Sequence, residues 1–401
     1  TGNNQPDLGT TFALATSFFG RNQVQFTGNV GYGLGSDVPA AGFRTSFSRG
    51  EAGPEFKLTV QQIGLPARGI AVSRSNAPPL RTMSLTMIER VDLAEGLQLD
   101  YGASLDSVTY LDRLNYISPF ARLTAHIGPG TLDLGYSSGA PPVDLLNARG
   151  LDGSLQGDVA ALTLLPRVSL RDGQALVQRS ENMEIGYRLE GGSRSYSVGA
   201  YHEFVRNGAL TMSTPDESFF GSLDLLPELS SRSSVFNIGN YTRTGYTASV
   251  TQALGEDFSV TIAAGRGGVL TTRSQNLLTN DLDELRSTIT RAQRQWARGI
   301  VTATVPVAGT RVVASYEWSD ARALTPGHVY LTQKIYPETG LNFRVRQPLP
   351  GWGGLPGRLE ATAELRNMLA QGYLPVSTAD GKRLILSSYP RAIRGGLAFI
   401  F

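Results

Sequence analysis

The chain has 401 residues, 41% of them hydrophobic, with 36 Lys and Arg against 34 Asp and Glu, a mean hydropathy of −0.12 and no cysteine. A net charge of +2 argues against a nucleic-acid partner, and the missing cysteines exclude a disulfide framework, a thiolate metal site and a Cys nucleophile. No stretch approaches the roughly 20 unbroken apolar residues of a membrane helix, which leaves two or three soluble domains or one large barrel.

Residues 1–7 are polar and carry neither the charged nor the apolar region of a leader. An exported chain sheds one, so a mature or truncated form is expected. The first predicted strand covers residues 12–19 and ends in a short turn at 20–22. Next, Phe56, Leu58 and Val60 alternate with Lys57, Thr59 and Gln61, before a long link at 62–80. Met83, Leu85 and Met87 alternate with Ser84 and Thr86. Leu97, Leu99, Tyr101, Ala103 and Leu105 alternate with Gln98, Asp100, Gly102 and Ser104. A short turn at 127–130 and a long link at 137–178 follow.

Ile185, Tyr187 and Leu189 then oppose Glu184, Gly186, Arg188 and Glu190. After a turn at 190–193, a strand at 196–205 leads into the long link 206–241. The turn at 254–257 and the link 267–293 come next. That link holds a predicted capped amphipathic helix built on Asn280, Asp281, Leu282, Leu285 and Ile289, with Arg291 and Arg294 at its basic end. A turn at 307–309 precedes two clean alternations. Leu341, Phe343 and Val345 oppose Asn342, Arg344 and Arg346; Leu359, Ala361, Ala363 and Leu365 oppose Glu360, Thr362, Glu364 and Arg366. The link 370–390 separates these from a last strand at 392–401.

Strand side chains alternate faces with period two. Several runs reach ten residues, beyond the about 5–6 of an ordinary strand and near the about 9–11 of a tilted membrane strand. Short turns at one end and long links at the other complete the pattern. The expected fold is all-β: one transmembrane antiparallel β-barrel over residues 1–401, with roughly 16–18 strands and the five long links outside the cell. Leu97, Tyr101, Leu359 and Leu365 are expected to meet lipid, and Trp296, Trp318, Tyr316, Tyr187 and Phe399 to form aromatic girdles. Leu-rich 143–165 and 219–229 are read as loops packing over the barrel mouth, or as an interface for a surface protein. An even strand number with both ends periplasmic is usual, whereas the first and last strands here run the same way. At least one further strand between them, encoded upstream, is therefore expected.

Leu397, Phe399 and Phe401 share one face of the last strand. This terminus resembles that of bacterial outer-membrane barrels, which end in an aromatic read by the barrel-insertion machinery. Two stretches resemble the TonB-dependent receptor family more closely. In residues 178–188, Glu184-Ile185-Gly186-Tyr187-Arg188 is similar to a Glu-x-Gly-aromatic-basic run after a long extracellular loop. Ala363-Glu364-Leu365-Arg366-Asn367-Met368-Leu369 is similar to the family's penultimate strand, and residues 390–396 enter the last strand in the family's manner. The resemblance covers the C-terminal 230 or so residues and implies the wall of a nutrient-uptake pathway, part of a 22-stranded barrel with a plug. No plug-like segment is found here, so a C-terminal portion or a reduced relative is expected.

Chemistry is sparse. His126, His202 and His328 match no metal spacing, no Gly-x-Ser-x-Gly elbow occurs, and neither enzyme activity nor a cofactor is expected. The lumen-facing candidates are Glu184, Arg188, Glu190, Glu317, Arg344, Arg346, Glu360, Glu364 and Arg366, read as a mutually paired wet wall or as a charge-selecting ring. Outer-membrane lipid, the insertion machinery, an upstream plug or strand, and a surface protein gripped by the Leu-rich loops are the expected partners. Beside uptake, two other functions fit: a barrel anchoring a surface assembly, and a passive porin.

Overall fold

A computed structural model describes residues 7–18, 22–33, 38–49, 53–63, 79–110, 112–139, 162, 166–213, 226–228, 233–279, 281–320, 323–325, 327–333, 335, 338–350, 358–369, 371–381, 383–387 and 391–400. Strands β1 (Asp7–Phe18), β2 (Asn22–Gly33), β3 (Val38–Arg49) and β4 (Glu55–Ile63) form an antiparallel meander. It continues through β5 (Leu80–Ala94), β6 (Leu97–Thr109), β7 (Arg113–Ile127) and β8 (Gly130–Ser138). A separate hairpin, β9 (Val168–Arg171) with β10 (Gln174–Val177), lies in the next link, and β8 pairs past it with β11 (Arg179–Gly191).

Two long strands, β12 (Arg194–Ser213) and β14 (Ser233–Ala253), pair directly, with the short β13 (Leu226–Glu228) against the start of β14. Strand β15 (Phe258–Thr272), helix α1 (Leu282–Thr288), and strands β16 (Ile289–Val305), β17 (Thr310–Ser319), β18 (Gly340–Leu349) and β19 (Arg358–Arg366) follow. The hairpin β20 (Tyr373–Ser377) and β21 (Arg383–Ser387) stands between β19 and its partner β22 (Ala392–Ile400). Strand β22 then pairs parallel with β1, Asp7 opposite Arg394 through Ala13 opposite Ile400. The succession of pairings thus runs through seventeen strands and returns to its first.

Within this chain β1 and β22 pair with each other over Asp7–Ala13, with no further strand between them. Their backbone groups are satisfied by each other, which meets the demand that no edge be left open in hydrocarbon without an antiparallel intermediary. It is the one parallel ladder among the described strands.

Polarity decides what solvent surrounds the sheet. On one face Ile262 is 64% exposed and Val198 53%, while on the other Lys57 and Asp100 are each 2% exposed. Leu97, Tyr101, Leu359 and Leu365 share the apolar phase, with Tyr101 O–H donating to Glu89 across to β5 at 2.6 Å. Exposed apolar rows outside and charges inside invert a water-soluble protein and fit a transmembrane barrel. No helix among the described residues is long and apolar enough to cross a membrane. Barrels of this kind belong to outer membranes.

Tyr316 and Trp318 lie on the outward phase, 39% and 50% exposed, and Tyr187 shares the phase of Ile185. Trp296 does not: it packs inward against Tyr201, Ala263, Tyr330 and Ile335. Its place on β16 sets it between the buried Arg294 and Arg298, on the polar phase that sequence alternation had hidden. Leu397 is exposed on β22, where Phe399 stands opposite Leu359 and Phe12 in register. Phe401 lies outside the described residues, as do most of 64–78, 143–165 and 219–225.

The predicted helix is present, capped by Asp281, whose side chain accepts from the Asp283 N–H. Its basic end differs. Arg286 occupies the last turn, and Arg291 and Arg294 fall on β16 because the chain turns extended at Ile289. The links at 206–241 and 370–390 are also more ordered than expected. Strands β12 and β14 continue into the former, and β21 pairs with Thr211–Ser213 of β12. Leu210, Met212, Phe236, Leu270, Leu277, Leu282, Leu285, Leu324, Leu374, Val376, Leu384 and Leu386 form one buried apolar cluster. This cap at the long-link end is a small water-soluble core.

Candidate functional site

Nine of the inward positions had been singled out, and the inner wall pairs most of them. Arg346 makes a bidentate contact with Glu360, Arg344 meets Glu364 at 2.8 Å, and Arg366 meets the same carboxylate at 2.8 Å. Arg188 lies 3.3 Å from Glu190. Glu317 accepts from Arg294 at 2.9 Å, both nearly inaccessible. Opposite charges, set across adjacent strands or two residues apart on one strand, stabilise such a wall, since a lone buried charge is costly.

Glu184 is paired differently. Its partner comes from a segment that the sequence reading left unmarked, the link between β17 and β18. Of this link, the described residues 323–325, 327–333, 335 and 338–339 fold inward as a strap. Ala323, Leu324, Thr325, His328, Tyr330, Leu331, Gln333 and Ile335 are all buried. At one end Leu324 N–H donates to the Leu270 carbonyl at 2.7 Å, and Thr325 Oγ1 accepts from Leu270 N–H at 3.1 Å. At the other, Glu338 accepts from Arg298 at 3.0 Å.

The middle of the strap lies on backbone. A Cβ on Gly186 would stand 2.8 Å from Thr332 Cβ, and one on Gly199 would stand 2.1 Å from Gln333 Nε2. These adjacent inward glycines, opposite each other in the β11–β12 register, are what permits the approach. Leu331 goes on to touch Phe120 of β7. The strap therefore extends from the β17–β18 edge of the wall across to β7.

His328 holds the middle in place. Its Nε2 lies 2.8 Å from Glu184 Oε1 and its Nδ1 2.7 Å from Glu203 Oε2. Glu184 Oε2 also accepts from the N–H groups of Leu331 and Thr332, at 2.8 and 3.0 Å, and from Thr332 Oγ1 at 3.1 Å. Glu203 takes a second cation, Arg243, at 2.7 Å. Tyr201 stacks on the imidazole with centroids 3.7 Å apart, and Tyr330 meets it edge-on at 4.8 Å.

Ionised carboxylates only accept hydrogen bonds, so a ring between two of them donates from both nitrogens and is an imidazolium. Burial opposes that charge, but the hydrogen bonds to Glu184 and Glu203 and their negative charge outweigh it and raise the His328 pKa above its ordinary 6.5. Two carboxylates, one imidazolium and one guanidinium balance to zero. A small recess beside the cluster is lined by Tyr201, Gly267, Gly268, Arg294, Trp296 and Glu317.

His126 and His202 take no part; both are exposed, and Thr131 Oγ1 lies 3.3 Å from His126 Nδ1. Among the described residues no group of His, Asp and Glu is arranged to hold a metal ion. One sign of the strap was available in sequence: residues 323–335 carry Ala, Leu, Val, Tyr and Ile at a density unusual for a link in water.

No family model and no curated relative matches the sequence. Among solved structures the chain is similar to the siderophore receptor PirA from Pseudomonas aeruginosa, at TM-score 0.42 and 11% identity, over 94% of this chain and 62% of that one. It is similar to the FrpB iron transporter from Neisseria meningitidis at TM-score 0.42 and 11% identity, over 94% and 62%. A loop L8 deletion mutant of OmpT, an outer membrane protein of Vibrio cholerae, gives TM-score 0.31 and 8% identity, over 80% and 93%. The chain spans about 62% of the length of the two receptors.

Proposed function

We propose that this chain is the barrel of an outer-membrane transporter that takes up a nutrient, with the strap lying across the lumen as the element solutes must pass. The observation that carries the reading is the strap itself. A polar interior ringed by seventeen strands is crossed by an anchored segment instead of standing as an open channel. In this reading the chain performs no covalent chemistry on its solute, since the His328 cluster is fully occupied in holding the strap. Planar-bilayer conductance tests it. Replacing 326–335 by a short Gly-Ser linker is expected to raise single-channel conductance several-fold. A wild-type chain that already conducts steadily, unchanged by the replacement, makes the protein a passive porin.

A second reading, a barrel that anchors a surface protein, draws on the apolar cap and on Leu278, 80% exposed beside it. If deleting 140–165 releases a co-purifying protein and leaves permeability unchanged, this reading prevails over transport.

A further inference from the structure

Resting on that transport reading, we propose that the Glu184–His328–Glu203 bridge is a proton-operated clasp. It holds the middle of the strap across the lumen while His328 carries both ring protons and releases it when one is lost. The strap's two ends are held by groups that do not titrate with the ring: Leu324 and Thr325 on the Leu270 backbone, and Glu338 on Arg298. Its middle is held chiefly through the two carboxylates. The Leu331 and Thr332 N–H groups and Thr332 Oγ1 also donate to Glu184, so loss of the ring proton removes the His328 share of the clasp and loosens the middle of the strap while its ends stay attached.

The groups facing the ring fix the direction. Glu184 comes from β11, Glu203 and Tyr201 from β12, Arg243 from β14, and Tyr330 from the strap; Arg294 of β16 and Glu317 of β17, paired with each other, close the recess beside it. Loss of one proton turns a donor into a lone pair 2.7–2.8 Å from a carboxylate oxygen. The two buried carboxylates then lose the imidazolium between them, and Glu203 keeps its pair with Arg243. A buried charge stripped of its partner is strongly destabilising. Because the folded pKa of His328 is raised, the clasp is at full strength below the ordinary histidine pKa and weakens as pH rises through the raised value. The strap is held most firmly at acid pH and loosens as pH rises.

The chain has no cysteine, so one introduced thiol reports the strap alone. Gln333→Cys suits this, since Gln333 is buried and its side-chain amide makes no hydrogen bond to the described residues. Its maleimide labelling rate in detergent is divided at each pH by that of Leu278→Cys, an exposed reference. From pH 6 to 9 the ratio is expected to climb by up to about tenfold per pH unit between the ordinary histidine pKa and the raised value, and to level off above the raised value, as one released proton requires. Adding His328→Gln should leave the ratio high and flat. A ratio that stays flat without His328→Gln, or a climb that survives it, overturns the clasp; the first comparison suffices if His328→Gln does not fold. Conductance over the same pH range separates the two readings. A Gly135→Cys/Leu331→Cys pair, whose Cβ atoms would stand 3.3 Å apart, near the disulfide range, should hold conductance low until reduced. Labelling that climbs while conductance does not change upholds the clasp and overturns transport.

Discussion

Along β12, Val198 is 53% exposed and Met212 is fully buried, on one continuous strand. In its first half Tyr196 and Val198 face outward and Tyr201 and Glu203 face inward, the alternation of a wall between lipid and water. Past Val205 the register slips, and Gly208 through Met212 are buried regardless of phase. Strand β14 covers one edge there and β21 adds a pairing at Thr211–Ser213. The lower half is stabilised because lipid accepts its apolar face; the upper half must supply its own apolar neighbours. One strand thus serves two solvents, and the change falls at the bulge.

The largest effect should come from removing a side chain that only the upper half needs. Phe236, fully buried in the cap, converted to Ala should cost about 3–5 kcal/mol, the range for emptying a packed aromatic site. The loss should be confined to the cap. Proteases should cut near 214–225 in the variant while the strands below stay protected in detergent. Cleavage or unfolding that spreads evenly through the chain would mean that the two halves are one cooperative unit.

The lower half is probed by charge. Ile262→Arg places a cation on the outward face at a position 64% exposed, where lipid is the neighbour. The expected cost is about 2–4 kcal/mol at the bilayer midplane, read as a lower urea midpoint for folding into vesicles. The same Arg at Leu278, exposed on the cap, should change stability little. Equal costs at both would remove lipid as the explanation for the outer face.

This division also marks what was legible in sequence. Where one face meets lipid and the other water, period two survives, and runs such as Leu359, Ala361, Ala363 and Leu365 announced their strand and its alternation. Where protein covers both faces the period disappears. Residues 206–213 and 233–241, though strands, therefore read as link. The hairpin β20–β21 was hidden for the same reason, its Leu374, Val376, Leu384 and Leu386 being buried on one side of a short turn. The site was half visible. Glu184 stood on the polar phase of an evident strand, but its partner His328 lies in a segment with no periodicity. Nothing local states that residues so distant in sequence meet. Trp296 failed in the opposite way: the link expected at 267–293 put it near the start of its strand, where a girdle aromatic fits, whereas β16 begins at Ile289 and sets it mid-strand facing inward.

The smallest effect should come from the boundary itself. Asn207 has φ 52, a left-handed backbone, and sits where the β12 register shifts. Its N–H donates to Asn240 Oδ1 at 3.0 Å and its side chain donates to the Val177 carbonyl at 3.3 Å. Asn tolerates this conformation better than most residues and Gly tolerates it without a Cβ penalty. Asn207→Ala loses the side-chain bond and also incurs about 1–2 kcal/mol of backbone strain. Asn207→Gly loses only the bond, whose net worth is about 1 kcal/mol or less at that length. The Ala variant should therefore lower the cap's unfolding midpoint more than the Gly variant does. Equal shifts would assign the bulge to the Val177 contact, and the boundary between the two halves would then be held by the β9–β10 hairpin instead of by the strand's own backbone.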